Sequence, residues 1–461
     1  MTTTTNPTQR PPTPDGPEGA ARSDGSGPIR RIIAGSLATG LVGAAVLTLV
    51  VFAGASEPVI TGSILLAFAF GWAMLAVLST RMTNQPQRWA LVPAAGMAVT
   101  GLGLLVLAPG NGALTAAGWV WPPVLLALAV WMGLRVHRSL AARSGRWLLY
   151  PVVGVLALAA VGGAVETVSL ASARSSNTMP GQSYDVGGYR LHLNCTGSGS
   201  PTVVLQSGLG EFSSSWARIV PTVAQATRVC AYDRAGQGWS DDAPHLQDGV
   251  QVATDLHTLL NRAGENGPYV LVGHSIGGNY AMTYAARYPE QVAGLVLLDS
   301  SDPYQVTGAV GSAGASAPSW VALLPSVTRL GIGQLVPTST WSSLPEPAAG
   351  QVAAFESSPR GWRNARDEFA TMPDLFRQAQ ALTTLGNKPL VVVTASESVQ
   401  MTPGWSAAQD RMAALSTNSS HRQADSTHVA LLDGQRESAV SAQAVHDVVQ
   451  AVRSGAPLPS N

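Results

Sequence analysis

Residues 271–280 read LVGHSIGGNY, so Ser275 stands between Gly273 and Gly277 where an apolar run passes into a helical pattern. In a GxSxG arrangement the serine occupies a sharp strand-to-helix turn, and the flanking glycines avoid a Cβ that would strike the neighbouring strand or helix. Such a turn exposes the serine Oγ. A serine hydroxyl becomes a useful nucleophile only when a nearby base takes its proton. Two histidines lie far downstream, His421 in LSTNSSHRQAD and His428 in ADSTHVALLD. The first falls within a predicted strand; the second falls on the following loop, before a helix, and is the expected base.

The elements that must position these groups begin near Ser183. SYDVGG and YRLHLNC read as a hairpin, TVVLQSG and RVCAYD as buried strands, and VQVATDLHTLLNRAG as a helix. YVLVGH, the helix through NYAMTYAARY, and the strands VAGLVLLD and PLVVVTAS follow. Strands alternating with helices imply a mostly parallel sheet covered on both faces. Chemistry on such sheets gathers at the carboxyl ends of the strands, where Ser275 is expected.

The amino-terminal part has a different composition. Residues 1–28 are rich in Thr, Pro and Gly and carry too little apolar surface to order themselves. Five apolar stretches follow, at about 31–54, 58–80, 88–108, 113–134 and 147–170, each long enough to cross ~30 Å of hydrocarbon as a helix. Arg10, Arg22, Arg30 and Arg31 precede the first; Arg81 and Arg88 separate the second from the third; Arg135, Arg138, Arg143 and Arg146 separate the fourth from the fifth. The loops ASEP, with Glu57, and APGNGA, with Asn111, contain no basic residue. Positive loops stay cytoplasmic, so the amino terminus is expected in the cytoplasm and everything after Ala171 outside. Glu166 is the one ionisable residue inside a span, near its outer end, where an interfacial carboxylate within reach of water is expected.

The formal net charge is zero and the pI about 7.1, which removes the basic field that nucleic-acid binding needs. No Cys/His cluster has metal-ligand spacing, so neither a metal nor another cofactor is expected. Cys195 and Cys230 both fall in the part expected outside, where an even pair is a candidate disulfide and two buried thiols are the alternative. Lys388 is the sole lysine, an arginine bias of the kind found in GC-rich bacterial genomes.

The segments LQSGLGEFSSSW, CAYDRAGQGWSD, GHSIGG, LVLLDSSDP and STHVALLD occur in the order and spacing of the α/β-hydrolase superfamily, and the resemblance covers roughly residues 180–455. It implies that the strands carrying Cys195 and Cys230 are neighbours, which favours a disulfide. It implies an oxyanion hole from the backbone N–H groups of Ile276 and Leu209. The loop after the third strand, usually His-Gly in this family, is here Ser207-Gly208. The acid that orients the histidine commonly follows the seventh strand, where only Glu397 is available. Some members resembling haloalkane dehalogenases place it after the sixth strand, where Asp299 stands, with Asp302 a third choice. A helical cap is implied at about 303–385, with Trp320, Trp341, Phe355, Trp362, Phe369 and Phe376 divided between a substrate pocket and the cap's own core. Asp233 and Arg234 read as structural turn residues.

The expected organisation is therefore a tail (1–28), a five-helix membrane region (29–172) and an α/β-hydrolase domain (180–455). The expected activity is a membrane-anchored, extracytoplasmic serine hydrolase acting on a small-molecule or lipid-like ester, with Ser275 as nucleophile, His428 as base, and Asp299 or Glu397 as acid. A different class, a catalytically silent binding or sensory domain on the same anchor, and a transporter carrying an enzyme are the rival readings.

Overall fold

The computed structural model describes residues 1–3, 26–140, 143–304, 318–335, 341 and 343–459. Most of the tail, including Arg10 and Arg22, and parts of the cap stretch lie outside the described residues. Helices α1 (Ser26–Val46), α2 (Glu57–Met82), α3 (Leu91–Leu107), α4 (Asn111–Ala117), α5 (Trp121–Ser139) and α6 (Arg143–Ser176) make up the amino-terminal region. Four helical stretches, Gly27–Val51, Glu57–Met82, Arg88–Leu107 and Gly145–Ser176, are long and apolar enough to cross a membrane. The stretch expected as one span at 113–134 is broken into α4 and α5, bent by 46°, and makes a fifth candidate span when the pair is taken as one. Pro122 and Pro123 follow the break, and a proline supplies no N–H to continue a helix from the preceding turn.

Buried Ile29, Trp72, Ala76, Ala90, Val136 and Leu149 pack into one cluster, which brings together the ends of these helices that carry Arg30, Arg31, Arg81, Arg88, Arg135, Arg138 and Arg146. The arginine-poor ends, at Ser56–Pro58 and Ala108–Asn111, face the carboxy-terminal domain.

That domain is built on eight strands: β1 (Gln182–Asp185), β2 (Arg190–Thr196), β3 (Thr202–Gln206), β4 (Val229–Tyr232), β5 (Tyr269–His274), β6 (Val292–Leu298), β7 (Leu390–Ala395) and β8 (Ser419–Ala424). Their order across the sheet is β1-β2-β4-β3-β5-β6-β7-β8. β1 and β2 form the hairpin, β2 runs antiparallel to β4, and the remaining pairs are parallel. The central strands β3 to β7 are almost entirely buried, as expected of strands covered on both faces. Helices α7 (Ile219–Val223), α8 (Gly249–Ala263) and α9 (Gly277–Arg287) follow β3, β4 and β5 respectively. Cys195 and Cys230 are paired across β2 and β4 and joined by a disulfide. Among the described residues, the one group close enough to share a metal ion is Cys195, Cys230 and Glu265, and the disulfide leaves it without a thiolate.

Between β6 and β7 lie α10 (Leu324–Thr328), α11 (Ala348–Glu356) and α12 (Pro359–Ala379). After β7 come α13 (Ser396–Met401) and α14 (Trp405–Ala413), and after β8 come α15 (Ala430–Asp433) and α16 (Glu437–Ser454). The segment around α10 and the start of α12 rest on the arginine-poor end of the amino-terminal helices. Glu57, buried at the first turn of α2, is paired with Arg329 and with Arg363, the latter at 3.0 Å. Arg329 also donates to Asn111 at 3.1 Å, and Thr61 shares a 2.7 Å hydrogen bond with Ser326. Glu166 differs from its expected watery setting: it is buried and accepts a 2.9 Å hydrogen bond from Gln334, because the cap segment covers this face of α6.

Glu57→Ala would leave two guanidinium groups beside an uncharged site. Breaking a buried ion pair costs about 3 kcal/mol, a roughly hundredfold rise in opening of this contact, which limited proteolysis within residues 318–335 measures. Cys195→Ser is expected to cost about 3 kcal/mol through the entropy regained by the unfolded chain, read as a lower thermal midpoint that the reducing agent reproduces in the unmodified protein.

Candidate active site

The site is assembled where β5, β6 and β7 end. At the end of β5 the backbone of Ser275 turns with φ of +56°, and its N–H and C=O are held by Leu298 at 3.1 Å and Ser301 at 3.2 Å. A Cβ on Gly277 would lie 2.1 Å from the carbonyl oxygen of Gln206, and one on Gly273 would lie 2.5 Å from Gly278. The turn is therefore pressed against the end of β3 more closely than any side chain permits. That contact brings the loop after β3 up to the turn that carries Ser275.

Asp299, one residue past β6, also has positive φ, +44°, and its side chain is completely buried. Oδ2 lies 2.6 Å from Nδ1 of His428 and 2.5 Å from the Ser398 hydroxyl. Oδ1 accepts from the Ala395 N–H at 3.1 Å and from the Trp405 indole at 2.8 Å. Burial pushes this carboxyl upward, but the bonds from His428, Ser398 and Ala395 outweigh it and hold it below the ordinary carboxylate range. Asp299 is thus ionised at neutral pH. It fixes the tautomer of His428 with the proton on Nδ1 and Nε2 free to accept.

The other candidate carboxylates go elsewhere. Glu397 accepts the backbone N–H of His428 at 2.9 Å and donates its own N–H to the Ser426 carbonyl at 3.2 Å, so it grips the main chain of the loop rather than the imidazole. Asp302 is paired with Arg411. His421 lies on β8, bonded to Thr394 and Asp410, away from these groups.

A second network, not expected from the sequence, sits beneath the turn. His274 is completely buried, its ring 4.5 Å from that of His428. Its Nδ1 is 2.6 Å from Glu211 and its Nε2 is 2.9 Å from the carbonyl oxygen of His428. Both partners present acceptor oxygens, an arrangement that favours a proton on each ring nitrogen of His274. Burial opposes the resulting charge, but Glu211 beside it raises the pKa above the ordinary value of 6.5. The other Glu211 oxygen accepts the Gly208 N–H at 2.6 Å. Glu368 of α12 accepts the Gly210 N–H at 3.0 Å, and Arg234 donates to the carbonyl oxygens of Ser207 at 2.6 Å and Gly208 at 2.8 Å. The loop is thereby fixed on both sides of Leu209. Among the described residues neither the Leu209 N–H nor the Ile276 N–H has a hydrogen-bond acceptor. Two N–H groups left free in an otherwise bonded backbone can receive a negatively charged oxygen.

Asp233 keeps a structural part, accepting from the N–H groups of Ser213 and Trp239 and facing His192 at 2.9 Å. Of the cap aromatics, Phe369 and Phe376 pack beside Ile276 and Leu209, while Trp341 and Phe355 join the main core. The signal that could have exposed the second network is the pair of charged types at Glu211 and His274, each embedded in an apolar, strand-ending motif.

Residues 201–326 match a family model described as the alpha/beta hydrolase fold. An uncharacterized protein of Schizosaccharomyces pombe is 37% identical over 153 residues, which are 26% of this chain and 28% of that protein. One of Mycobacterium tuberculosis is 29% identical over 218 residues, 43% of this chain and 63% of that protein. The chain thus matches less than two thirds of the length of either relative. Among solved structures, an enol-lactonase from Burkholderia xenovorans is 19% identical with a TM-score of 0.45, covering 58% of this chain and 100% of that one. An esterase from Thermogutta terrifontis is 22% identical with a TM-score of 0.43, covering 57% and 94%. Parallel strands in the order β4-β3-β5-β6-β7-β8, the Gly-His-Ser-Ile-Gly turn closing β5 and the matched family model lead to one conclusion: the carboxy-terminal domain has the alpha/beta hydrolase fold.

Proposed function

We propose that the protein is a membrane-held serine hydrolase of ester-type bonds, with its α/β domain on the extracytoplasmic side. The observation that carries this reading is the 2.6 Å contact between Asp299 and Nδ1 of His428, beside the turn that presents Ser275. In the proposed reaction Ser275 Oγ attacks the substrate carbonyl and its proton passes to Nε2 of His428. The imidazolium formed is stabilised by Asp299, and the oxyanion is received by the N–H groups of Leu209 and Ile276. His428 then protonates the departing alcohol, and water attacks the acyl-enzyme with His428 again as base. Glu397 is assigned to holding the His428 backbone, and the Glu211–His274 pair to locking that backbone to the loop of Leu209.

The extracytoplasmic placement is supported by the gathering of arginines at the end of the helical region away from the α/β domain, and by the disulfide, which persists in oxidising compartments.

A fluorophosphonate probe is expected to label the full-length protein in membranes, with Ser275→Ala abolishing the label; a silent binding domain would give no label at all. Asp299→Asn is expected to lower kcat by about 10³–10⁴, because the amide favours the wrong His428 tautomer, whereas Glu397→Gln keeps an acceptor for the backbone N–H and should cost less than about tenfold. Steady-state hydrolysis of a short-chain ester separates the two. The raised pKa of His274 implies a stability contribution fully present below about 6.5 and lost as pH climbs through the higher native value. Thermal midpoints measured upward from pH 6 should therefore fall, and Glu211→Gln should flatten that dependence.

A further inference from the structure

The segment Ser319–Leu335, within the cap stretch, consists of two 3₁₀ turns flanking α10. It is fastened to the amino-terminal helices by Thr61–Ser326, Glu57–Arg329 and Glu166–Gln334. Its backbone also touches α6 directly: a Cβ on Gly162 would lie 2.0 Å from the Leu330 carbonyl oxygen. Two independent rulers give the depth of this contact. Gly162 lies about 24 Å along α6 from Arg146, and Thr61 about 30 Å along α2 from Arg81, at 1.5 Å per helical residue. With those arginines at one edge of a hydrocarbon layer about 30 Å thick, the segment sits at the opposite edge.

Its apolar side chains face outward at that level. Trp320 is 55% exposed, Ile332 45% and Leu335 80%, with Leu330 beside them. The turn of Ile332 and Leu335 lies against α6, which exposes Leu158, Val161 and Val165, and the turn of Trp320 lies against residues 47–51, which expose Leu49, Val50 and Val51. A tryptophan with neighbouring aliphatic side chains at the hydrocarbon edge is the composition of an interfacial anchor.

We propose that residues 319–335 are an interfacial element, with Trp320, Leu330, Ile332 and Leu335 inserted into the bilayer leaflet adjoining the α/β domain. The occupant of this surface is phospholipid, chosen because the patch extends the face that the spans already present to lipid. The α/β domain is then itself seated in the leaflet, with α12 and the Ile276 cluster stacked above that seat, and the proposal does not depend on the enzymatic reading.

The test uses the full chain in phosphatidylcholine nanodiscs. The native cysteines are joined to each other, so a thiol-reactive NBD label reports only an introduced cysteine. Trp320→Cys, Ile332→Cys and, as a control on α16, Val440→Cys are labelled and compared with and without lipids carrying a nitroxide near the headgroup. Quenching by about twofold or more at 320 and 332, with blue-shifted emission and none at 440, is the expected result. Emission and quenching at 320 and 332 equal to those at 440 would overturn the proposal. So would a blue-shifted label that resists quenching while cysteines at 332 cross-link between copies, since the patch would then be covered by a second chain.

Discussion

The Asp299 carboxylate is the point on which the site is hung. It is completely buried, and an ionised carboxylate in that position is tolerable only because each oxygen is bonded twice. The donors come from four separate places: the end of β7, α13, α14 and the loop carrying His428. Satisfying one charge therefore forces the register of everything that follows β6. The positive φ of Asp299 belongs to the same constraint, since it turns the side chain off the strand and back toward β7 and the His428 loop.

A second buried polar pair, Glu211 with His274, does for the other half of the site what Asp299 does for His428. The Glu211–His274 pair ties the loop after β3 to the backbone of His428, and Arg234 with Glu368 clamps the same loop from the cap side. Such pairs add little net stability, because desolvation offsets most of the attraction, but they penalise any arrangement in which the partners separate. Here the penalty falls on displacement of Leu209 relative to Ile276, whose backbone N–H groups lie on either side of the same contact. The Gly277 contact with Gln206 opposes the same displacement sterically.

The amino-terminal helices and the α/β domain are joined through the cap rather than through the sheet. Glu57 and Glu166 are both buried under cap residues, and each finds its polar partner there. Covering α12 with hydrogen-bonded turns that also rest on α2 and α6 links the pose of the helix nearest Ile276 to the helical region. The bend between α4 and α5 follows from the same end of the region, where Thr167 of α6 donates to the Gly118 carbonyl in the break.

Periodicity and turn chemistry made much legible in the sequence alone: the apolar helices, the alternating strands, and the serine turn with its downstream histidine. These signals are local, carried by residues within one or two turns of each other, and a linear pattern records them. The α4–α5 break is not legible locally, because Pro122 and Pro123 sit inside a stretch as apolar as a continuous span. The different partners of Asp299, Glu397 and Asp302 are equally invisible in the sequence, since all three follow strands and differ only in which atoms they meet across the sheet edge. The burial of Glu166 and the pairing of His274 with Glu211 likewise depend on residues more than sixty positions away. Local composition determined which elements form; partner distances, set by packing, decided which charges face one another.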